Sequence, residues 1–301
     1  MGRFEDSRFE DSRFEDGGAA SVVVLSPHLD DAVLGLWHVL AADREVTVAT
    51  VFAGIPDPGF VTGLDRDHGA VESADWMRRR RTEDRAALAL ADLEPHHLDL
   101  LDIQYVLAGD PEQRALLDRE PGRFLAVVRE LVDPEARVAA VVEAVSALVR
   151  VHPRPCLVYA PLGVGGHPDH LAVAGAALRL AASGHRVRLW ADSPYYLRHG
   201  LPGQLGGPPN PDADALLRQG IRAHAGHRLT PHLVRLDGAA ADRKGEAIRR
   251  YRTEYPSLQD DYGPVPLPDL LAHEAWWQVE DTPAGAHAGA PPPVEQGQQS
   301  L

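Results

Sequence analysis

The 301-residue chain has one cysteine, Cys156, so no disulfide can form within it. That fits a reducing compartment, and we expect a cytoplasmic protein. No apolar run is long enough to span a membrane, and the opening residues show no apolar stretch of the kind that makes a signal peptide. Basic charge is also short: 30 Lys and Arg against 44 Asp and Glu give a formal net charge of −14. A nucleic-acid partner needs a basic face for phosphates, and an anionic membrane surface needs the same, so neither is expected. Several catalytic signatures are missing too. "LGVGG" and "GQLGGP" are glycine-rich, but neither is a phosphate loop or a dinucleotide fingerprint. There is no G-x-S-x-G elbow, and "HEAWW" lacks the second histidine of a zincin helix.

What is present reads as an ordinary globular chain, 44% hydrophobic and 25% charged. Its two ends are different. Residues 1–18 repeat "RFEDS" and 281–301 are rich in Pro, Gly and Gln, and we expect both to be disordered. Between them, over 19–280, short β-branched runs alternate with longer Ala, Leu and Arg-rich stretches. "SVVVLS", "EVTVATVF", "HHLDLL", "PCLVYAPLG" and "RVRLWAD" read as strands. Residues 32–42, "SADWMRRRRTEDRAALALADL", "FLAVVRELV", "PEARVAAVVEAVSALVRV" and "DHLAVAGAALRLAAS" read as helices. Nearly continuous apolar strands alternating with helices predict an α/β fold. The form expected is a Rossmann-like, doubly wound, mostly parallel sheet with helices on both faces. Residues after about 193 are expected to extend that single domain. "ADRKGEAIRRYRTEY" would be a helix there, and His273 with the neighbouring tryptophans the core face of another. Cys156 falls within a strand and is expected to be buried and inert.

Two polar clusters interrupt this pattern, each directly after a buried strand. The first is "SPHLDD" with His28, Asp30 and Asp31; the second is "GGHPDH" with His167, Asp169 and His170. Any one of these residues could be a helix cap or a satisfied core histidine. Two such clusters, each at a strand's carboxyl end, point instead to one crevice, because ligands in doubly wound sheets bind where strand order reverses. Two histidines and a carboxylate with an open position make a catalytic zinc arrangement. His28 and Asp31, three apart, can reach one point while Asp30 between them points elsewhere. His167 and His170 share the same offset, so one can bind metal and the other flank it.

"PHLDD" with "HPDH" resembles the zinc-dependent N-deacetylases of the LmbE-like, or PIG-L, family, related to the N-acetylglucosaminyl-phosphatidylinositol deacetylase. The resemblance runs over about residues 21–277, with weaker echoes at Arg80 and Glu83 and in "KGEAIRRYRTEY". It implies His28, Asp31 and His170 as Zn²⁺ ligands and Asp30 as general base. It also implies His167 as oxyanion stabiliser or amine acid, and Asp169 as the group that orients a histidine. Ala32 departs from the Glu that many members carry, and Gly165 from the tyrosine that some members carry. Tyr195 and Tyr196 are candidates to replace that tyrosine, and Arg80 to meet an anionic part of the substrate.

The expected activity is removal of an N-acyl group, chiefly acetyl, from an amino sugar or glycosylated small molecule. Cleavage of a thiol-sugar conjugate is the nearest alternative. A Mg²⁺-dependent phosphate or ester hydrolase and a non-catalytic carbohydrate binder are the alternatives of other classes. Histidine ligands argue against Mg²⁺, and the presence of Asp30 against the binder. Specificity is expected in the loops at 53–75, 101–120 and 195–230.

Overall fold

The computed structural model describes residues 21–119, 124–256, 258 and 266–280. The repeat expected at 1–18 and the tail expected at 281–301 lie outside the described residues. The first strand, β1 (Val22–Ser26), is buried at every position, as its unbroken VVVLS run requires of a strand covered on both faces. It pairs in parallel with β2 (Val46–Thr50) on one side and β4 (Leu157–Pro161) on the other. Beyond β2 lies β3 (His96–His97) and beyond β4 lies β5 (Arg186–Trp190), both parallel. Two antiparallel strands, β6 (Arg228–Arg235) and β7 (His273–Glu280), complete a seven-stranded sheet of order β3-β2-β1-β4-β5-β7-β6. The predicted doubly wound fold is present, and its reversal falls between β1 and β4.

Twelve helices are described: α1 (Asp31–Gly35), α2 (Trp37–Leu40), α3 (Gly63–Asp67), α4 (Ser73–Leu88), α5 (Ile103–Ala108), α6 (Pro111–Arg119), α7 (Phe124–Leu131), α8 (Pro134–Arg150), α9 (Pro168–Ala182), α10 (Pro211–Arg222), α11 (Gly238–Ile248) and α12 (Pro266–Ala272). Several begin on side-chain caps that the sequence carries. Asp133 accepts from the amides of Glu135 and Ala136 with Pro134 in the first turn, and Asn210 does the same ahead of Pro211.

Three expectations need correction. The helix expected over residues 32–42 is broken at Leu36. A Cβ on Gly35 would stand 2.7 Å from the Trp190 ring, so the chain needs glycine there to pass. Glu274 then accepts from the amides of Trp37 (2.7 Å) and His38 (2.9 Å) and starts α2. Second, His273 and the tryptophans after it lie on β7, not on a helix. Trp276 and Trp277 are buried on opposite faces of that strand, which hides the period-two pattern. Third, the lysine-containing helix α11 stops at Ile248, before "RRYRTEY". Cys156 is buried as expected, with its sulfur 3.0 Å from His185 Nδ1.

Candidate metal centre

The strand β1 ends at Ser26, and its hydroxyl does the capping that the aspartates were candidates for. Ser26 Oγ accepts from the Ala32 amide (3.1 Å) and donates to the His28 carbonyl (2.7 Å). Asp30 occupies the cap position of α1 yet makes no cap hydrogen bond. On α9 the cap is His167, whose Nδ1 accepts from the Asp169 amide, so Asp169 too is freed from capping. The carboxylates of both clusters therefore face the crevice.

There, three ligand-type atoms stand at the corners of a nearly equilateral triangle. His28 Nδ1 is 3.3 Å from Asp31 Oδ2, His170 Nε2 is 3.3 Å from the same oxygen, and the two nitrogens are 3.2 Å apart. A tetrahedral zinc with bonds of about 2.0–2.1 Å holds its ligand atoms about 3.3–3.4 Å from one another. The edges fit that figure.

The outer nitrogens explain why the inner ones converge. His28 Nε2 lies 3.2 Å from Asp169 Oδ2 and 3.6 Å from Asp102 Oδ2. His170 Nδ1 lies 2.6 Å from Asp192 Oδ1. Carboxylates only accept, so each outer nitrogen carries the proton. In the neutral imidazoles this turns two lone pairs and a carboxylate oxygen on one point, a set that repels itself unless a positive charge stands there. The same field acts on the imidazoles. Burial alone would lower both, but Asp169 and Asp31 raise His28 well above its usual pKa, and Asp31 with Asp192 raises His170. Asp31, against the effect of burial, is held well below the carboxylate range by His170 and His28.

His28, His167 and His170 also lie within ligand distance of one another, and the His167 ring is edge-on to His28 with centroids 5.0 Å apart. Burial lowers His167 to about 4, with His28 and His170 adding to the effect. Its Nδ1 accepts from backbone, so Nε2 carries the proton of a neutral ring. Asp30 differs from its neighbour: burial first and Asp31 second raise it to about 7, while Arg80, 3.9 Å away, opposes the shift. Arg80 is 10% exposed and also pairs with Glu254 at 3.3 Å. It does not sit on a solvated helix face, and with two carboxylates beside it an anionic substrate group gains little charge advantage there.

The two tyrosines separate. Tyr196 is fully buried and donates to the His273 carbonyl, so it packs rather than meets substrate, correcting the expectation for it. Tyr195 is 37% exposed, edge-on to the His170 ring at 6.1 Å, and covers Gly165. Gly165 has φ +84°, a conformation that disfavours the tyrosine some family members carry.

Three supporting residues were missed in the sequence. Asp192 follows β5 as the first cluster follows β1, so the same strand-end rule could have found it. Arg137 on α8 donates to Asp169 Oδ1 (2.5 Å) and to the Leu101 carbonyl (2.8 Å), and Asp102 caps α5. Nothing in their sequence spacing relates these two to the clusters. Asp192→Ala, which removes the anchor of His170, is expected to weaken zinc affinity about 10–100-fold in chelator competition, with activity recovered at saturating metal. Unchanged affinity would remove Asp192 from this role.

A family model described as PIG-L, the GlcNAc-PI de-N-acetylases, matches residues 23–181. A solved A40926 pseudoaglycone deacetylase is 28% identical with TM-score 0.61, covering 87% of this chain and 97% of its own. A deacetylase of teicoplanin biosynthesis, solved with teicoplanin, is 25% identical with TM-score 0.61, covering 86% of this chain and 97% of its own. A zinc-inhibited form of a teicoplanin deacetylase, 24% identical with TM-score 0.64 over 88% of this chain and 99% of its own, shares the fold. Among curated proteins, none matches. No helix among the described residues is long and apolar enough to cross a membrane.

Proposed function

The chain belongs to the GlcNAc-PI de-N-acetylase (PIG-L) family, and from that premise we propose that it is a zinc-dependent hydrolase removing an N-acetyl group from an amino sugar on a glycosylated small molecule. The observation that carries this reading is the triangle of His28, Asp31 and His170, whose edges suit zinc and whose two imidazoles suit it better than Mg²⁺. Zinc held there supplies a Lewis acid for the amide carbonyl and acidifies water. The chain's own residues do the rest. Asp30, outside the triangle and raised toward neutrality, accepts the proton of the water whose oxygen adds to the acyl carbon, and returns it to the nitrogen as the C–N bond breaks to leave acetate and the free amine. His167, neutral with its proton on Nε2, donates a hydrogen bond to the oxygen on which negative charge develops. Asp169 and Asp192 hold the ligand imidazoles in the required tautomers, and Arg80 holds Asp30. Tyr195 is the tyrosine we assign to substrate contact. That one similar protein is an A40926 pseudoaglycone deacetylase and another a deacetylase of teicoplanin biosynthesis solved with teicoplanin supports the choice of a deacetylation on a larger small molecule.

Elemental analysis of the purified chain is expected to give about one zinc per chain, since three ligands and water complete a tetrahedral site. His28→Ala, Asp31→Ala and His170→Ala should each lose metal and acetate release together. Full zinc in all three variants would falsify the ligand assignment. Absence of acetate release from every acetylated amino sugar and glycoside tested, with zinc bound, would overturn the reaction instead.

A further inference from the structure

The glycines ahead of His167 have no part in the chemistry above, yet they set where that residue starts. Gly163, Gly165 and Gly166 all take left-handed backbone (φ +82°, +84° and +69°). Glycine reaches that region freely, but the same freedom means that it does not hold the chain there. The turn closes on a hydrogen bond from the Gly166 amide to the Gly163 carbonyl (3.0 Å), and Asp192 Oδ2 accepts from the Val164 amide (2.8 Å). The Gly165 and Gly166 carbonyls turn to a side chain on another helix.

That side chain is Arg129 of α7. Its Nε donates to the Gly166 carbonyl (2.9 Å) and its Nη2 to the Gly165 carbonyl. A planar guanidinium presents these N–H groups in a fixed fork, so both carbonyls must face one way. The Gly166 carbonyl shares its peptide plane with the His167 nitrogen, so fixing the first fixes the second. The approach is close: a Cβ on Gly166 would stand 2.5 Å from Arg129 Nη2. Among the described residues no carboxylate pairs with Arg129, so the turn is what its charge meets. Nor does α7 need this contact to stay in place. Its buried Val128 packs with Ile103 and Leu107, and Phe124 and Val132 pack on that cluster. Arg129 itself is exposed, so its removal opens no cavity.

His167 is the residue that feels the turn. Its Nδ1 reaches the Asp169 amide at 3.3 Å, a long hydrogen bond. Its ring centroid stands 5.0 Å from that of His28 and 5.3 Å from that of His170. A long side-chain anchor leaves the placement of the ring to the backbone that carries it. Resting on the deacetylase reading above, we propose that Arg129 is a positioning residue for the reaction: by clamping the Gly165 and Gly166 carbonyls it sets the His167 ring beside the metal ligands. A displacement of about 1 Å at such a group costs up to about 100-fold in rate.

The test uses the zinc-loaded full chain with Arg129→Met and Arg129→Lys, and reads acetate release from N-acetylglucosamine beside the state of the imidazoles. Arg129→Met is expected to lower kcat about 10–100-fold, with KM within about twofold, zinc content unchanged and Tm within about two degrees of wild type. Lysine keeps the charge but not the fork, so Arg129→Lys should recover only part of the loss. In a His167→Ala background, Arg129→Met should cost less than about twofold, because the group it positions is gone. Long-range proton–nitrogen NMR of the imidazoles needs no substrate. His167 of the wild type should show a single neutral tautomer with the proton on Nε2. In Arg129→Met that signal should broaden or divide between tautomers, while those of His28 and His170 hold. Arg129→Met keeping more than half of wild-type kcat, or losing as much without His167 as with it, overturns the proposal. An unchanged His167 signal in Arg129→Met does so too. If wild type releases no acetate from any acetylated sugar yet the His167 signal changes in Arg129→Met, the positioning stands and the reaction assignment fails.

Discussion

Asp30→Asn is expected to lower kcat by about 10²–10⁴-fold while zinc content and KM stay nearly unchanged. Asparagine keeps the shape and hydrogen-bonding reach of the side chain but cannot accept a proton. Zinc should stay because Asp30 contributes no corner to the His28–Asp31–His170 triangle. A fold effect is not expected either, since Asp30 makes no capping hydrogen bond to α1. The pH profile gives an independent reading. A base must be ionised to work, so kcat/KM in the wild type falls as pH drops through the Asp30 pKa. Burial and Asp31 place that pKa near 7, and a cation bound beside Asp31 lowers it. The residual activity of Asp30→Asn should lack that acid limb. Arg80→Met should shift the limb to higher pH, because Arg80 is the positive charge that opposes the rise. An Asp30→Asn enzyme retaining more than about a tenth of wild-type kcat at saturating zinc would exclude Asp30 as the base.

That the residues of both clusters could be read from sequence has a physical cause. Each cluster sits in the turn after a fully buried parallel strand, β1 or β4, so charged side chains within a few residues of an apolar run stand out. Strand-end turns also fix which side chains converge. The supporting residues were harder to see because tertiary packing alone brings them in. Arg137 comes from α8 to hold Asp169, and Asp102 reaches His28 from the cap of α5. The parallel strands themselves were legible up to β5, where strand and helix alternate, though their order in the sheet was not. Beyond it, β7 is buried on both faces, and its tryptophans and alanine fit a helix face as well as a strand. The break in the 32–42 helix was not legible at all, since its cause, Glu274, lies more than 230 residues further on.

The same glutamate gives the largest stability effect expected of a residue outside the crevice. Glu274 and Lys244 are both fully buried, with Lys244 Nζ 2.7 Å from Glu274 Oε1 and 2.8 Å from the Leu270 carbonyl. Glu274 also accepts from the amides of Trp37 and His38 and lies 2.6 Å from His38 Nδ1. It therefore joins β7, α11 and the start of α2 in one network. Removing one partner of a buried ion pair costs about 3–5 kcal/mol, because the other is left uncompensated. Glu274→Leu strands the Lys244 ammonium and two backbone amides, and its Tm is expected to fall by roughly 6–20 °C. Lys244→Met should cost less, since Glu274 keeps its two amides and the His38 ring. Acid should act on the same group. Burial pushes Glu274 up, but Lys244 and His38 hold it at about 2, below its ordinary 4.5. A carboxyl depressed on folding stabilises the protein above its unfolded pKa, so about 3 kcal/mol is present above pH 4.5 and is lost as pH falls toward 2. Urea unfolding at several pH values would show this as a slope between pH 4.5 and 2 that is shallower in a Glu274→Met/Lys244→Met double variant. Equal slopes, or a Glu274→Leu variant that melts within about two degrees of wild type, would show that the network carries no such share of stability.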